Sequence, residues 1–433
     1  MPTSPRAALL RDPNFAWLMS GSVMSALGDQ FTMIALPWLV LKLTGDPVAL
    51  GMVVALMGMP RAILILFGGA VVDRYSPKRV LMLTKHANTL LLGVLAFLVI
   101  GGHATLAAVT MLALGLSLAS AFSIPAGTAM LPHAIAPQHL QAANGILMSV
   151  RQTTMLAGPL LAGLLFALAG DGSGGMADAR GLGIAFAFDC LSFLVSAWTL
   201  SRVRPLVAAA GDAQPPQPWL GAIGAGLALV WRDAILRTAF LYWGLCSCVV
   251  GGIMQVAMPL LASTRLHGAS ALALLAGAHG AGSLAGMALI GLVGRRRIGN
   301  LGSTLLLLDG AIGLLLPLLG MITASWQGML INVIIGVLGG FINVTVFSWV
   351  QQRVPRAMLG RVMSIFMFVV MGLAPLAAAA AGWLAGRIAL GMLFGGAGLF
   401  LAAAALLAWL LTPMGALTDI DADAGRAPAK PVA

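Results

Sequence analysis

Charged side chains lie inside long apolar runs of the sequence, among them Asp29, Arg61, Arg151, Asp189 and Asp309. A charge at the centre of a lipid bilayer costs at least about 2.5–3.5 kcal/mol, so each needs a partner, a water-filled cavity or a proton. Asp29 lies near the middle of the first run, where a carboxyl group could bind and release a proton. A permanent salt bridge with Arg151 is its alternative role. The candidates for proton coupling are Asp29, Arg151 and Asp189.

Arg151 has a second possible role. It could bind an anionic or carbonyl-bearing small molecule, or it could only neutralise Asp29 or Asp189. A binding cavity is mostly apolar with a few well-placed polar groups. Six residues suit such a cavity: Asp29, Phe31, Arg151, Gln255, Asn332 and Asn343.

The composition requires lipid around most of the chain. Of the 433 residues, 60% are apolar and 9% are charged, and the mean hydropathy is +0.99. Soluble proteins carry about 25% charged residues, so this chain cannot be one of them. About 20 apolar residues span the hydrocarbon of a bilayer as a helix. The fold class is therefore an all-α membrane protein with twelve spans.

Sequence motifs of enzymes and cofactor sites are missing. The chain has no Walker A, HExxH, GxSxG or glycine-rich nucleotide motif, so ATP drive and hydrolase chemistry have no support. The three cysteines lie in apolar segments. Cys246 and Cys248 form a CxC pair, but no other thiol or histidine neighbours them at the spacing of a metal site. We expect no catalytic residues, no metal and no cofactor.

The apolar runs set the positions of the predicted spans. Turn residues such as Gly45-Asp46-Pro47 separate them. The predicted spans are 15–42, 47–70, 80–101, 105–126, 142–169, 181–201, 238–262, 269–293, 300–320, 325–348, 358–385 and 388–411.

The distribution of cations predicts the orientation. Most of the 24 Lys and Arg residues fall on the side of the N-terminus, and cytoplasmic loops carry such an excess. Both termini are therefore predicted to be cytoplasmic, in a multi-pass protein of the bacterial cytoplasmic (inner) membrane. The net charge of +11 is then a topology signal, and we expect no nucleic-acid partner.

Two halves of the chain repeat each other. Ala35-Leu36-Pro37 and Gly69 are matched by Ala257-Met258-Pro259 and Gly291, both at an offset of 222 residues. Such duplication is typical of secondary transporters with a site between the halves. We predict a first bundle at 1–201, a cytoplasmic central loop at 202–237 with an interfacial helix at Trp219–Arg232, a second bundle at 238–411 and a tail at 412–433.

A glycine, an acid and a basic cluster follow the second predicted span, at Gly69, Asp73, Arg74, Lys78 and Arg79. This stretch resembles motif A of the major facilitator superfamily. The resemblance implies that the acid accepts hydrogen bonds from a neighbouring helix N-terminus, which favours an anion, and so latches one side of the protein. The alternative is that these charges only fix topology. Ser76 replaces the family's usual glycine.

Further stretches resemble one subgroup of that superfamily, which contains the enterobactin exporter and the macrolide and tetracycline efflux proteins. They are Gly28-Asp29, Phe122-Ser-Ile-Pro125-Ala126, Leu131-Pro132, Ala143-Asn144, Phe188-Asp189 and Leu359-Gly360-Arg361-Val362. The resemblance implies two pseudo-symmetric six-helix bundles around a central cavity. It also implies that the sixth and ninth spans are peripheral, which favours structural roles for Asp189 and Asp309.

The fifth span carries glycines and a proline in a pattern similar to motif C of drug/proton antiporters. The matching residues are Gly145, Gly158, Pro159 and Gly163, whereas Thr154 and Ala162 replace two of the motif's glycines. Small residues allow helices to approach closely in a membrane. The resemblance favours antiport.

These observations predict a secondary transporter, most simply a monomeric exporter of amphipathic small molecules such as drugs or siderophores, driven by proton exchange through alternating access. An inward carrier of a lipid-like or nutrient substrate is the alternative on the same fold. A channel or membrane enzyme is the third possibility. It would need a continuous polar stripe or a nucleophile–base pair, and the sequence shows neither.

Overall fold

The computed structural model describes residue 9 and residues 11–171, 179–206, 219–293, 300–355 and 358–416, with the backbone alone at 65–74, 219–220, 222–223, 291–293, 371 and 416. The central proline-rich stretch, Arg295–Arg297 and the tail beyond residue 416 lie outside the described residues.

Within the described residues, twelve helices are long and apolar enough to span a membrane, as predicted. We number them α1 (Pro13–Thr44), α2 (Pro47–Tyr75), α3 (Pro77–Ile100), α4 (Leu106–Ala134), α5 (Leu140–Ala169), α6 (Arg180–Arg202), α7 (Ala234–Thr264), α8 (Ala269–Val293), α9 (Leu301–Leu319), α10 (Ser325–Arg353), α11 (Leu359–Ala385) and α12 (Leu390–Leu411). The terminal face is the side on which α1 begins and α12 ends, and the far face is the opposite side.

Local chemistry explains several helix starts. The Asp12 carboxylate accepts a hydrogen bond from Asn14 N at 2.8 Å, and the Asp46 carboxylate accepts one from Val48 N at 2.8 Å. These side chains satisfy amides that have no partner inside the helix. Prolines open α1, α2 and α3, where the missing N–H group costs nothing.

Two spans contain a widened turn near the middle, which the sequence analysis did not predict. The turns are Ser247–Gly251 in α7 and Phe368–Gly372 in α11, and they pack against each other. The Ser247 hydroxyl donates to the carbonyl of Val370, and Cys248 Sγ lies 3.4 Å from the carbonyl oxygen of Leu373. Turns of this π type free backbone carbonyls, and here side chains of the neighbouring helix use them.

Each half forms its own bundle. In the N half, α6 packs on α1 and α3, and α4 packs on α2 and α3. In the C half, α8 packs on α10, α9 packs on α12, and α7 packs on α11. Large apolar side chains such as Leu168 and Leu411 are exposed on the outer surface, where lipid would surround them.

The halves meet along two helix pairs, α2 with α11 and α5 with α8. A Cβ atom added at Gly51 would lie 3.0 Å from the Cα atom of Gly382, so the backbones of α2 and α11 nearly touch. On the other pair, Gly163 faces Ala273. Small residues at these crossings permit the close approach. The crossings lie toward the far face.

A linker helix at Trp219–Arg232 precedes α7 and packs on the first turns of α11. Its interfacial position stays a prediction. Asp233 ends it and is bound by Arg353 of α10, whose Nε lies 2.8 Å from the carboxylate. Burial raises the pKa of the Asp233 carboxyl, but the hydrogen bonds from Arg353 and from two amides of α7 outweigh that effect and lower the pKa below its usual value. The pair ties the linker to the C half.

Candidate functional site

Asp29 lies mid-way along α1 and is exposed at a pocket inside the N half. This N-half pocket has a volume of about 230 Å³ and is bounded by α1, α3, α4 and α6, with Leu147 from α5. Among the described residues, the Asp29 carboxylate has no hydrogen-bond donor. It lies close enough to Lys85 of α3 for the two charges to interact.

Asp189 of α6 is 1% exposed and lies behind Asp29, near enough for the two carboxyl groups to interact. Its carboxylate accepts hydrogen bonds from the Thr32 hydroxyl at 2.5 Å and the Ser192 hydroxyl at 3.0 Å. Any side chain at Gly28 would overlap Asp189 and Ser192. The glycine of Gly28-Asp29 therefore brings α1 against α6, and the adjacent aspartate reaches the pocket.

Lys85 is the charged residue of this cluster that the sequence analysis did not single out. Its ammonium group donates to the Ser196 hydroxyl oxygen and lies 5.7 Å from the centre of the Phe193 ring. The sequence contained a signal, because Lys85 stands five residues inside the predicted third span.

The other predicted cavity residues divide into exposed and buried ones. Arg151, Gln255 and Asn343 are exposed. Within the described part of the chain, the Arg151 side chain makes no ion pair with Asp29 or Asp189 and no hydrogen bond. Phe31 is 6% exposed and packs on Phe188 at 4.7 Å between ring centres, while buried Asn332 donates to the Gly328 carbonyl at 2.9 Å.

The glycine motif of α5 lies at two helix crossings. A Cβ atom at Gly158 would lie 2.5 Å from Cβ of Gln30 on α1, and one at Gly163 would lie 2.9 Å from Cβ of Ala273 on α8. Pro159 is buried beside the first crossing, and Gly145 faces open space. The motif therefore packs α5 against α1 of its own half and against α8 of the C half.

The predicted gating motif, Gly69, Asp73, Arg74, Lys78 and Arg79, falls partly in the segment 65–74, where the backbone alone is described. The latch proposed for Asp73 depends on its side chain and therefore stays a prediction. Lys78 donates to the carbonyl of Val203 at 2.6 Å and Arg79 is exposed. Ser76 has φ 72°, a left-handed conformation that favours glycine. This explains why the family's pattern has glycine at that place.

Asp309 forms a separate buried contact in the C half. It is 8% exposed and accepts a hydrogen bond from the Tyr242 hydroxyl at 2.9 Å, which joins α9 to α7. The described residues contain no group of three or more His, Cys, Asp or Glu side chains that could hold a metal ion.

A hydrogen bond joins the halves at the far face. The Asp171 carboxylate, just beyond α5, accepts from the backbone N–H of Ala269, the first residue of α8, at 2.6 Å. The Trp38 indole N–H donates to the Asp171 carbonyl at 2.8 Å and so holds the loop in place. An anion at a helix N-terminus is stabilised by the helix dipole. Together with the glycine crossings, this contact closes the far face.

The model of the Major Facilitator Superfamily matches residues 18–379, which is most of the chain and extends from α1 into α11. The chain belongs to this family. It is therefore a membrane-embedded transporter of small molecules and not an enzyme.

Two relatives within the Major Facilitator Superfamily are exporters by name. The multidrug efflux pump Tap of Mycobacterium tuberculosis is 28% identical over 239 residues, which cover 53% of each chain, so the match spans about half the length of Tap. The enterobactin exporter EntS of Escherichia coli is 25% identical over 341 residues, covering 76% of this chain and 75% of EntS.

Solved structures of transporters share the fold. The nucleoside transporter NupG superposes with a TM-score of 0.70 at 14% identity, over 91% of this chain and 97% of NupG. A bacterial homologue of the iron transporter ferroportin, in an inward-facing state, gives a TM-score of 0.68 at 17% identity, over 91% of this chain and 98% of that one. At such identities the likeness establishes the fold alone.

Proposed function

We propose that this member of the superfamily is a proton-coupled exporter of amphipathic small molecules, such as drugs or siderophores, that works by alternating access. The observation that carries the proposal is the position of Asp29. Its carboxyl group is exposed in the middle of a span and lacks a fixed hydrogen-bond donor among the described residues. A charge in that place is functional by default, because a purely structural one would be paired.

Proton exchange at Asp29 provides the coupling. A carboxyl group that is protonated on one side of the membrane and ionised on the other changes the charge that the cavity presents to a substrate. Binding of the substrate and binding of the proton then exclude each other, and one gradient drives the other. The names of the two relatives support export of drugs or siderophores.

The proposed setting is the bacterial cytoplasmic membrane, with both termini in the cytoplasm. The cation excess on the terminal face supports this orientation. The far face is then periplasmic. Because the contacts between the halves lie toward the far face, the conformation described above is the inward-open one.

Orientation is tested with two single cysteines at the two ends of α4, in a variant without the three native cysteines. His103→Cys is expected to react with a membrane-impermeant maleimide in intact cells, and Gln138→Cys is expected to react only after the membrane is opened, because both side chains are exposed but lie on opposite faces. Labelling of Gln138→Cys from outside would reverse the orientation.

Export is tested by accumulation of tetracycline, erythromycin and ethidium in cells with and without the protein. We expect several-fold lower accumulation of at least one compound in cells with the protein, and a return to the control level when an uncoupler removes the proton gradient. Accumulation that rises with the protein would indicate import. A lowered accumulation that survives the uncoupler would remove the proton from the mechanism.

A further inference from the structure

Five hydroxyl groups that line the N-half pocket donate their hydrogens to backbone carbonyls. The hydroxyl groups of Ser22, Ser25, Ser120 and Thr199 donate to backbone carbonyls of their own helices at 2.8–3.0 Å. The hydroxyl of Ser196 donates to the Gly21 carbonyl at 2.6 Å. A hydroxyl group has one hydrogen, so each of these oxygens offers only lone pairs to the pocket.

Asn88 adds an unused acceptor. Its side chain is 5% exposed and lines the pocket, and its Oδ1 atom has no hydrogen-bond partner among the described residues. Buried amide oxygens are normally paired. Asn88 stands one helical turn from Lys85, so this acceptor lies on the same face of α3 as the lysine.

The ammonium group of Lys85 is the cation placed among these acceptors. It has three donor hydrogens, and Ser196 takes one of them in the described conformation. Asp29 lies at the same pocket without direct contact to the lysine. A flexible four-carbon stem lets the ammonium group move between such acceptors without leaving hydrogen-bonding surroundings.

We propose that Lys85 is a positioning residue for the proton on Asp29. When that proton leaves, the ammonium group of Lys85 moves from Ser196 to the Asp29 carboxylate and takes the place of the proton. This inference rests on the proposed proton coupling. With Asp29 protonated, the ammonium group binds Ser196, as described here. When Asp29 releases its proton to water in the pocket, the carboxylate gains the ammonium group as its partner. One proton leaves, and the lysine stays charged throughout.

Two charged groups among the described residues act on this exchange. Lys85 on α3 and Asp189 on α6 both interact with Asp29. The described residues that α4 and α5 contribute to the pocket, such as Ser123 and Leu147, are uncharged. Asp189 keeps its own donors, Thr32 and Ser192, so it does not need the lysine.

The test follows the infrared band of the protonated Asp29 carboxyl group in the purified protein as pH is raised. The band is assigned by its loss in Asp29→Asn, so no substrate is needed. In Lys85→Met the band should persist to a pH higher by about one unit or more, because the carboxylate has lost the cation that favours it. Lys85→Arg should restore most of the wild-type profile.

A second variant should shift the pH at which the Asp29 band disappears in the opposite direction. Ser196→Ala removes the hydroxyl group that binds the Lys85 ammonium group away from Asp29. The band should therefore disappear at lower pH than in the wild type. Lys42→Met, which removes a lysine at the far-face end of α1 outside the pocket, is the matched control and should leave the band unchanged. Opposite shifts from two variants of one pocket cannot arise from general loss of structure.

The outcomes separate the two proposals. If no band depends on Asp29 at any pH, Asp29 does not titrate and the coupling scheme fails. If the band is present but disappears at the same pH in Lys85→Met, in Ser196→Ala and in the wild type, the role of Lys85 is overturned. Proton coupling at Asp29 is then unaffected.

Discussion

Asp29→Asn is expected to abolish uphill transport while leaving exchange of the substrate down its own gradient. A proton crossing 100 mV releases about 2.3 kcal/mol, which sustains a substrate ratio of about 50-fold. Asparagine has nearly the same size but cannot carry a proton, so the ratio should fall to about one. Because Asp29 is exposed and lacks a fixed donor among the described residues, the variant should fold and express like the wild type.

The measurement uses proteoliposomes with an imposed pH gradient and the compound identified by the accumulation experiment. Asp309→Asn is the matched control. It makes the same chemical change in the C half, where the Tyr242 hydroxyl can still donate to the amide oxygen, and it should keep uphill transport. Asp29→Asn transporting uphill at the wild-type rate would exclude Asp29 from coupling.

The spans were predictable because hydropathy alone decides which segments lipid can surround. The start of α8 and the ends of α5 and α12 coincide with their predicted positions. The fourth span is the largest difference, since α4 continues past the predicted end at 126 to Ala134. Pro125 and Pro132 lie inside this helix, and proline is tolerated inside spans because neighbouring helices satisfy the freed backbone groups.

The rotation of each helix could not be predicted from hydropathy. An amphipathic pattern orients a helix when one side faces water, but here lipid and protein interior are equally apolar. Hence the sequence offered Arg151 as the alternative partner of Asp29, whereas in the bundle Lys85 is the cation near enough to interact with it. Phe31 was grouped with cavity residues, and the fold directs its ring toward Phe188 in α6.

Contacts between the halves were the other feature that the sequence did not reveal. Asp171 begins a stretch of glycines and aspartate, a composition typical of a turn. Its bond to Ala269 joins positions 98 residues apart, and no pattern near either residue signals it. The latch proposed for Asp73 at the terminal face was suggested by a known motif. The contact of Asp171 at the far face became visible only in the fold.

Asp171→Ala is expected to shift the protein toward the conformation that is open at the far face. The variant removes a charged hydrogen bond to a helix N-terminus, worth roughly 1–3 kcal/mol, and such a coupling changes a two-state equilibrium by about 5- to 150-fold. Spin labels at His103 and Met321, exposed at the far face in opposite halves, should move apart. Labels at Gln138 and Gln352 on the terminal face should approach each other.

Asp46→Ala provides the control that isolates the contact between the halves. Asp46 is also a far-face carboxylate that accepts from a helix N-terminus, but the helix is α2 of its own half. Its loss should weaken α2 slightly and leave both distances unchanged. Asp73→Asn should move both distances in the direction opposite to Asp171→Ala, since its proposed latch closes the terminal face. Equal distance distributions in Asp171→Ala and Asp46→Ala would mean that the bond to Ala269 holds a loop and does not bias the two conformations.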